Sequence, residues 1–511
     1  MSFWLYFLYP LLAYLAIVFV KDFICLQRMK HYVKQGFVRM YVPFLGPYLL
    51  LNPSSTRQRD GVALLKDKVQ TTQNENAPGV VSNDNYKNRA NIMLTDTKLI
   101  REFFLKEVEV CHRTDLIKLP VNFPFFWENT EEALQKRTIF AEFFRVDNLS
   151  SCIPEIVSAC KENIDRLKQS LASSSDKKEI TIDMKKEMVT WIECITENTL
   201  FANKSHKFSV EGSKVAEVVC NAFSKINSYE GVYHMSNYFS YGLAAKLGLV
   251  KGLKIGMELY NKAEAAVKKA YQERSAMPDK DLQTGILDLM VKYNRSKPQF
   301  LLSESDAIGY MVTFMFAGVD TTSRTLQSGL YFLALDKDLQ KRIRDDVKTF
   351  NLRKSDLKFE DLDQSEALNG LFKETLRLMS PAPITFERRI MKDFTLGEYS
   401  FNKGDTILIP LAGMMAAKSC TDDPHTFDIS RYSKDAPQAK KVNPQCYMPF
   451  SLGRRNCVGQ LLAELEFKVA VINFISEFEI ELPKGDNNHK WVVAPLYEID
   501  HLKVNLRSAP K

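Results

Sequence analysis

No CxxC pair occurs in this 511-residue chain, and its nine cysteines (25, 111, 152, 160, 194, 220, 420, 446 and 457) are odd in number and scattered. Neither a disulfide framework nor a zinc knuckle is indicated; free, mostly buried thiols in a reducing compartment fit better. No internal repeat is evident. Low complexity is confined to short polar stretches: Ser173–Lys178, read as a solvated loop, and Val69–Lys87, read as a surface excursion. Charge of one sign is not in large excess. A net +7 permits an acidic partner or an anionic membrane surface and does not demand nucleic acid. Hydrophobic residues at 45% and charged residues at 26% are the balance of an ordinary globular protein.

One segment lacks charge altogether. Phe3 to Val20 is uncharged, with Trp4, Tyr6 and Tyr9 near its outer end. Eighteen such residues make about 27 Å of helix, enough for a thin bilayer. Pro10 would kink that helix without excluding it. Lys21, Arg28, Lys30, Lys34 and Arg39 follow against the single acid Asp22, so the positive-inside rule places the rest of the chain in the cytosol. A cleaved signal peptide is the alternative, but the basic residues come after the apolar run and no small-residue cleavage site follows. The expected organisation is an anchor with basic flank over 1–40 and a single catalytic domain over 41–511. The N-x-Ser sequons at Asn148, Asn203 and Asn294 would then face the cytosol and stay unmodified.

The centre of the chain reads as helix. Ser303 with Asp306 forms a capping-box start, and no proline intervenes before Leu335, giving a helix of about 48 Å. It is apolar on nearly every face between Ile308 and Phe316, so it should run through the interior. Amphipathic helices follow at Asp336–Phe350 and Asp363–Met379, the latter stopped by Pro381 and Pro383. Short β-like runs are expected at Phe394–Phe401, Asp405–Ile409 and His501–Leu506, and a final helix at Val458–Phe478. The fold class is mainly α with small peripheral β-sheets.

The most informative stretch is Phe450 to Gly459, FSLGRRNCVG. Cys457 sits just before the final helix, where unpaired backbone N–H groups stabilise an anion. Arg454 and Arg455 add positive charge, so the thiol should ionise readily. Gly453 and Gly459 allow sharp turns and close approach of a flat ligand, and Phe450 could shield the sulfur. An axial metal ligand, a buried structural cysteine and a nucleophile all remain open on these grounds, although the nearest preceding histidine in the sequence is His425.

This stretch resembles the haem-binding loop of the cytochrome P-450 family at Phe450, Gly453, Arg455, Cys457 and Gly459. The resemblance implies the P-450 fold, haem b with Cys457 as axial iron ligand, and Arg455 on a haem propionate. Three other motifs are similar to family motifs. Glu374 and Arg377 match Glu-x-x-Arg, with Arg431 of FDISRY as third partner, a structural set; the family often has proline where Ile429 stands. AGVDTT (Ala317–Thr322) matches the oxygen-activation motif. There Ala317 and Gly318 leave room for a ligand, Thr321 is the alcohol and Asp320 the acid of a proton relay. A kink solvated by a buried water is the plain alternative for that string. Arg388, in ITFERRI, and Arg137 stand where propionate-binding arginines occur, but Ala133 replaces the expected Trp of Trp-x-x-x-Arg, and Trp127 is a doubtful substitute.

The implied activity is insertion of one oxygen atom from O2 into an apolar lipid, sterol or xenobiotic. No segment resembles a nucleotide- or flavin-binding domain, so electrons must come from a separate NADPH-cytochrome reductase, or from a cytochrome b-type donor. The docking face would lie around Lys440, Lys441 and Arg454. The implied location is the endoplasmic reticulum membrane, single-pass, with membrane lipid as a partner and no nucleic acid. Substrate choice would rest with residues 107–126, 204–250 and 386–390, which carry no readable code. Two other readings are a hydroperoxide isomerase or dehydratase needing no reductase, and a non-catalytic haem sensor; an intact Asp320–Thr321 pair argues against both.

Overall fold

The computed structural model describes residues 4–40, 72, 76–84, 89–113, 131–174, 178–202, 209–227, 251–297, 302–437, 441–485, 489–493 and 496–510. Trp127, Asn203, Lys440 and, of the expected substrate-facing stretches, 114–126, 204–208 and 228–250 lie outside these residues.

Twelve helices matter for the argument: α1 (Trp4–Val33), α2 (Thr97–Val110), α3 (Glu131–Phe143), α4 (Ile153–Ser173), α5 (Met184–Phe201), α6 (Val215–Asn227), α7 (Lys251–Ala276), α8 (Ile286–Ser296), α9 (Glu304–Leu335), α10 (Lys337–Thr349), α11 (Glu366–Met379) and α12 (Gln460–Glu477). The longest, α9, begins where the sequence places it. Ser303 Oγ accepts from the Asp306 amide and the Asp306 carboxylate accepts from the Ser303 amide, so two orphan donors are satisfied reciprocally. Its apolar middle is buried: Ala307, Tyr310, Met311, Val312 and Met315 are all sealed from solvent. α9 packs on α5, α6, α7, α11 and α12 and forms the axis of the main core.

A six-stranded sheet makes a second core. Its strands are β1 (Val38–Met40), β2 (Gly79–Asp84), β3 (Arg89–Leu94), β4 (Cys111–Arg113), β5 (Arg388–Ile390) and β6 (Thr406–Leu408), in the order β1-β2-β3-β6-β5-β4. β2 corrects one expectation. The stretch read as a surface excursion contains a strand with Val80 and Val81 buried, because it pairs antiparallel with the fully buried β3. A polar composition around a short apolar pair had masked it.

The second half of α1, which carries the first basic residues of the flank, is docked on this sheet. Arg28 Nε donates to Asp405 Oδ1 at 2.6 Å, and Tyr32 OH donates to Asp405 Oδ2 at 2.8 Å. Asp405 is fully buried and also accepts from the Ala90 amide, so burial of this carboxylate is offset by three donors. Phe19, Val20, Phe23 and Ile24, by contrast, are exposed. Among the described residues no helix is long and apolar enough to cross a membrane. Most side chains of the expected Phe3–Val20 span lie outside the described residues.

Candidate active site

Cys457 lies in the loop between a short 3-10 turn, Gly453–Arg455, and α12. The helix starts at Gln460, two residues later than the sequence pattern indicates, because Cys457 is tied back instead: its amide donates to the Phe450 carbonyl at 2.9 Å. Gly453 makes this loop possible. Its φ is +76°, and a Cβ there would sit 2.5 Å from the Phe104 carbonyl oxygen, so any side chain would drive the loop off α2. All nine cysteines are free, and Cys457 alone is exposed.

That exposure is to a cavity rather than to bulk water. The cavity runs between the Cys457 loop and the middle of α9, where Ala317, Gly318, Thr321, Thr322 and Thr325 line it. A Cβ on Gly318 would touch nothing closer than Thr196 at 3.8 Å, so the small-residue face leaves space over the sulfur loop. Phe450 also lines the cavity and packs on Phe372.

The thiol is not activated as the sequence suggests. Burial pushes it above its ordinary pKa; the Gly459 amide, then Arg137 and Arg113, pull it back only in part. The cations acting on the sulfur are therefore not Arg454 and Arg455. Deprotonation would come with metal coordination, which needs thiolate. Among the described residues no group of three His, Cys, Asp or Glu side chains could hold a bare ion. A single soft sulfur donor facing a wide cavity therefore fits a metal that brings its other ligands in a macrocycle.

One end of the cavity is cationic. Arg113 on β4 and Arg388 on β5 are directly opposed across the antiparallel pair, and both line the cavity with Arg455. Arg388 Nε donates to Glu107 Oε1 at 2.7 Å, both side chains being buried. Burial first, then repulsion from Arg388, draws the Arg113 guanidinium below its ordinary pKa; Glu107 offsets this, while Arg455 and Arg137 add to it. Three arginines around the single carboxylate of Glu107 leave a pocket with two positive charges in excess, which two carboxylates of a bound ligand would balance. Sequence reasoning missed Arg113, for the tripeptide Cys-His-Arg carries no signal until the strand pairing places it.

Arg137 is placed differently from the expectation. Its Nε donates to the Arg454 carbonyl at 2.9 Å and its Nη2 to the Asn456 carbonyl and to Asn456 Oδ1, clamping the Cys457 loop from α3. Ala133, one turn earlier, is buried.

The pair Asp320 and Thr321 is split by the helix. Thr321 lines the cavity and its hydroxyl donates to the Ala317 carbonyl at 2.7 Å. Asp320, about 100° around the helix from it, is not among the cavity-lining residues. It pairs with Arg324 one turn on, and Arg324 in turn pairs with Glu498 at 2.9 Å. An adjacent acid and alcohol in sequence cannot face the same way on an α-helix.

Glu374, Arg377 and Arg431 are brought together away from the cavity. Arg377 binds Glu374 bidentately, 2.8 Å at each oxygen, and Arg431 Nε adds a contact at 3.2 Å. The guanidinium groups also donate to the carbonyls of Met415, Pro424, Thr426, Asp422 and Asp423 and to the Thr421 hydroxyl oxygen. This fully buried ion cluster pins the loop that precedes the cysteine stretch to α11. Ile429 fits beside Gly370, whose Cβ would lie 2.9 Å from the Ile429 Cβ.

The family model described as "Cytochrome P450" matches residues 67–494. The chain is 30% identical over 213 residues to "Cytochrome P450 3A13" of Mus musculus, covering 41% of this chain and 42% of that one. It is 32% identical over 203 residues to "Cytochrome P450 4X1" of Mus musculus, 39% of each chain. "Cytochrome P450 3A14" of Cavia porcellus is 32% identical over 177 residues, 35% of each. The matched segments thus span about two fifths of these curated relatives. With the family model covering most of its length, the chain belongs to the cytochrome P450 family.

Proposed function

We propose that this protein is a haem-thiolate monooxygenase that inserts one oxygen atom of O2 into an apolar organic substrate, with Cys457 as the axial ligand. One observation carries the reading: of the nine thiols that of Cys457 alone is exposed, and it opens into a wide, largely apolar cavity with a cationic end. Haem bound there supplies the reductive activation of dioxygen, with thiolate donation favouring O–O cleavage.

The chain's own residues do the rest. Arg113, Arg388 and Arg455 hold the haem carboxylates, with Glu107 keeping Arg388 in place. Arg137 acts on the loop backbone that carries the sulfur. Phe144, Leu200, Phe314, Ile384 and Phe386 form an apolar wall that excludes water and accepts an apolar substrate. The Thr321 hydroxyl, whose own proton goes to the Ala317 carbonyl, leaves its oxygen lone pair as an acceptor on the cavity wall. Glu374, Arg377 and Arg431 keep the proximal loop folded.

Electrons come from a separate NADPH-dependent reductase or a cytochrome b-type donor, docking near Lys441 and Arg454; the Arg454 side chain is 60% exposed. The exposed apolar side chains of Phe19, Val20, Phe23 and Ile24 and the basic residues after them support insertion of the N-terminus in the endoplasmic reticulum membrane, with the domain on the cytosolic side. Glycan on Asn148 or Asn294 would overturn that orientation. The ligand assignment is tested by Cys457→Ser, which should abolish the carbon-monoxide difference band of thiolate ligation. Cys446→Ser should leave it. The reverse pattern refutes the assignment.

A further inference from the structure

Cys420 and Cys446 lie on two irregular segments ahead of the cysteine loop, and neither has a place in the mechanism above. Both are free and 1% exposed. The two segments are already tied through Asn443. Its amide donates to the Cys420 carbonyl at 2.7 Å, its carbonyl accepts from the Cys446 amide at 3.0 Å, and its Nδ2 donates to the Ser419 carbonyl at 3.2 Å. Cys446 Sγ sits 3.6 Å from that same Ser419 oxygen, and the two thiols are in hydrogen-bonding contact with each other. A polar surface cavity of about 340 Å³ reaches this spot, with Lys418, Cys420, Lys441 and Asn443 in its lining.

We propose that Cys420 and Cys446 form a peroxide-sensitive dithiol: a modification site, separate from Cys457, at which a hydroperoxide converts the two thiols to a disulfide that pins the segment leading into the cysteine loop. In the first step Cys446 Sγ attacks one oxygen of hydrogen peroxide. The O–O bond breaks, an S–O bond forms, and the leaving hydroxide departs as water with the Cys446 proton. In the second step Cys420 Sγ attacks the sulfenic sulfur. The S–S bond forms, the S–O bond breaks, and the second hydroxide leaves as water with the Cys420 proton. Each thiol loses one electron and the peroxide gains two.

The surroundings set the order of attack. The Cys420 contact draws the Cys446 thiol below its ordinary pKa; burial opposes this, and Ser419 and Arg101 add to it. The same contact, then burial, holds Cys420 protonated. An attacking thiol thus stands beside a resolving one. Burial raises the thiols of Cys111, Cys152, Cys160, Cys194 and Cys220 instead, which slows their oxidation.

A disulfide brings its sulfurs to about 2.0 Å, closer than any hydrogen-bonded contact. Two residues after Cys446 comes the buried Met448, whose carbonyl accepts from the Ser451 amide within the cysteine stretch. The bond therefore steadies the lead-in to Cys457 and, by closing the loop from Cys420 to Cys446, restricts the unfolded chain.

The test uses the full chain with haem bound. Ferric protein is treated with hydrogen peroxide from equimolar upward, free thiols are alkylated, and peptides are mapped by mass. One disulfide joining Cys420 to Cys446, two hydrogens lighter than the separate thiols and reversed by dithiothreitol, is expected at peroxide levels that leave the haem band intact. Cys420→Ser should stop at a sulfenic acid on Cys446, trapped by a cyclic 1,3-dione, and Cys446→Ser should leave Cys420 a free thiol. Oxidised wild type should melt roughly 3 °C or more above the reduced protein, a gain absent from both variants. The proposal is overturned if both cysteines are still alkylated when the haem begins to bleach, or if the disulfide recruits another cysteine. A sulfenic acid on Cys420 in Cys446→Ser refutes the order of attack, and a melting temperature unmoved by the bond refutes the pinning.

Discussion

Arg113 and Arg388 face one another across the antiparallel pair of β4 and β5, two like charges in register at the cationic end of the cavity. Directly opposed like charges destabilise a strand pair unless something anionic intervenes. Glu107 supplies one such charge, to Arg388. A haem carboxylate at Arg113, as proposed, would supply the next.

Arg113→Ala should therefore bind haem less tightly while folding normally. Loss of one hydrogen bond to a charged group is worth about 1.5–3 kcal/mol, a roughly tenfold to hundredfold faster loss of haem to an apo-globin acceptor. Haem retention equal to wild type would remove Arg113 from the carboxylate site.

The Glu374–Arg377 pair predicts a different failure. Both side chains are fully buried, so Arg377→Ala strands a carboxylate and should cost about 3–5 kcal/mol. Arg377→Lys should not rescue it, because an ammonium cannot make the bidentate contact and also reach the carbonyls of Met415 and Pro424. Thermal denaturation and the yield of folded haem protein are the measurements. A lysine variant as stable as wild type would show that charge alone suffices.

Thr321 and Asp320 should separate in their effects. Thr321→Ala is expected to retain haem and divert electrons to peroxide at the expense of product, a loss of ~10²-fold. Asp320→Asn, which acts outside the cavity, should cost less coupling and instead loosen the Arg324–Glu498 link. Product per NADPH consumed, measured for both variants side by side, decides this; equal uncoupling would return Asp320 to the relay.

Glu466 also makes stability depend on pH. Its folded value of about 8 lies above that of an unfolded glutamate, so between roughly pH 4.3 and 8 the native state binds the extra proton. Stability from this group is complete at the acid end and falls as pH rises through that window. Glu193 and Glu197, each raised by burial to about 7, act in the same direction, so the comparison must be with the variant. Glu466→Gln should gain stability relative to wild type at alkaline pH and little at acid pH, in denaturant titrations at the two extremes. A pH-independent difference would contradict the assigned protonation.

Local rules made much of this molecule legible. Ser303 and Asp306 announce the start of α9 because a capping box is a contact within four residues. FSLGRRNCVG marks a loop whose glycines and cysteine have roles set by backbone geometry. The helical core follows from periodicity, for the same reason. The choice among the arginines was not legible: Arg137 goes to a carbonyl clamp and Arg113 to the cavity because α3 and β4 approach the cysteine loop from different sides. Neighbouring Asp320 and Thr321 read as a pair in one dimension, and the turn of α9 parts them. Glu466 carried no signal in the sequence; its burial in the cavity wall exists only once α12 packs against α9. Sequence by itself determined the elements, whose causes are local, and tertiary structure decided which charges share the cavity, because electrostatic partners are chosen by proximity in space.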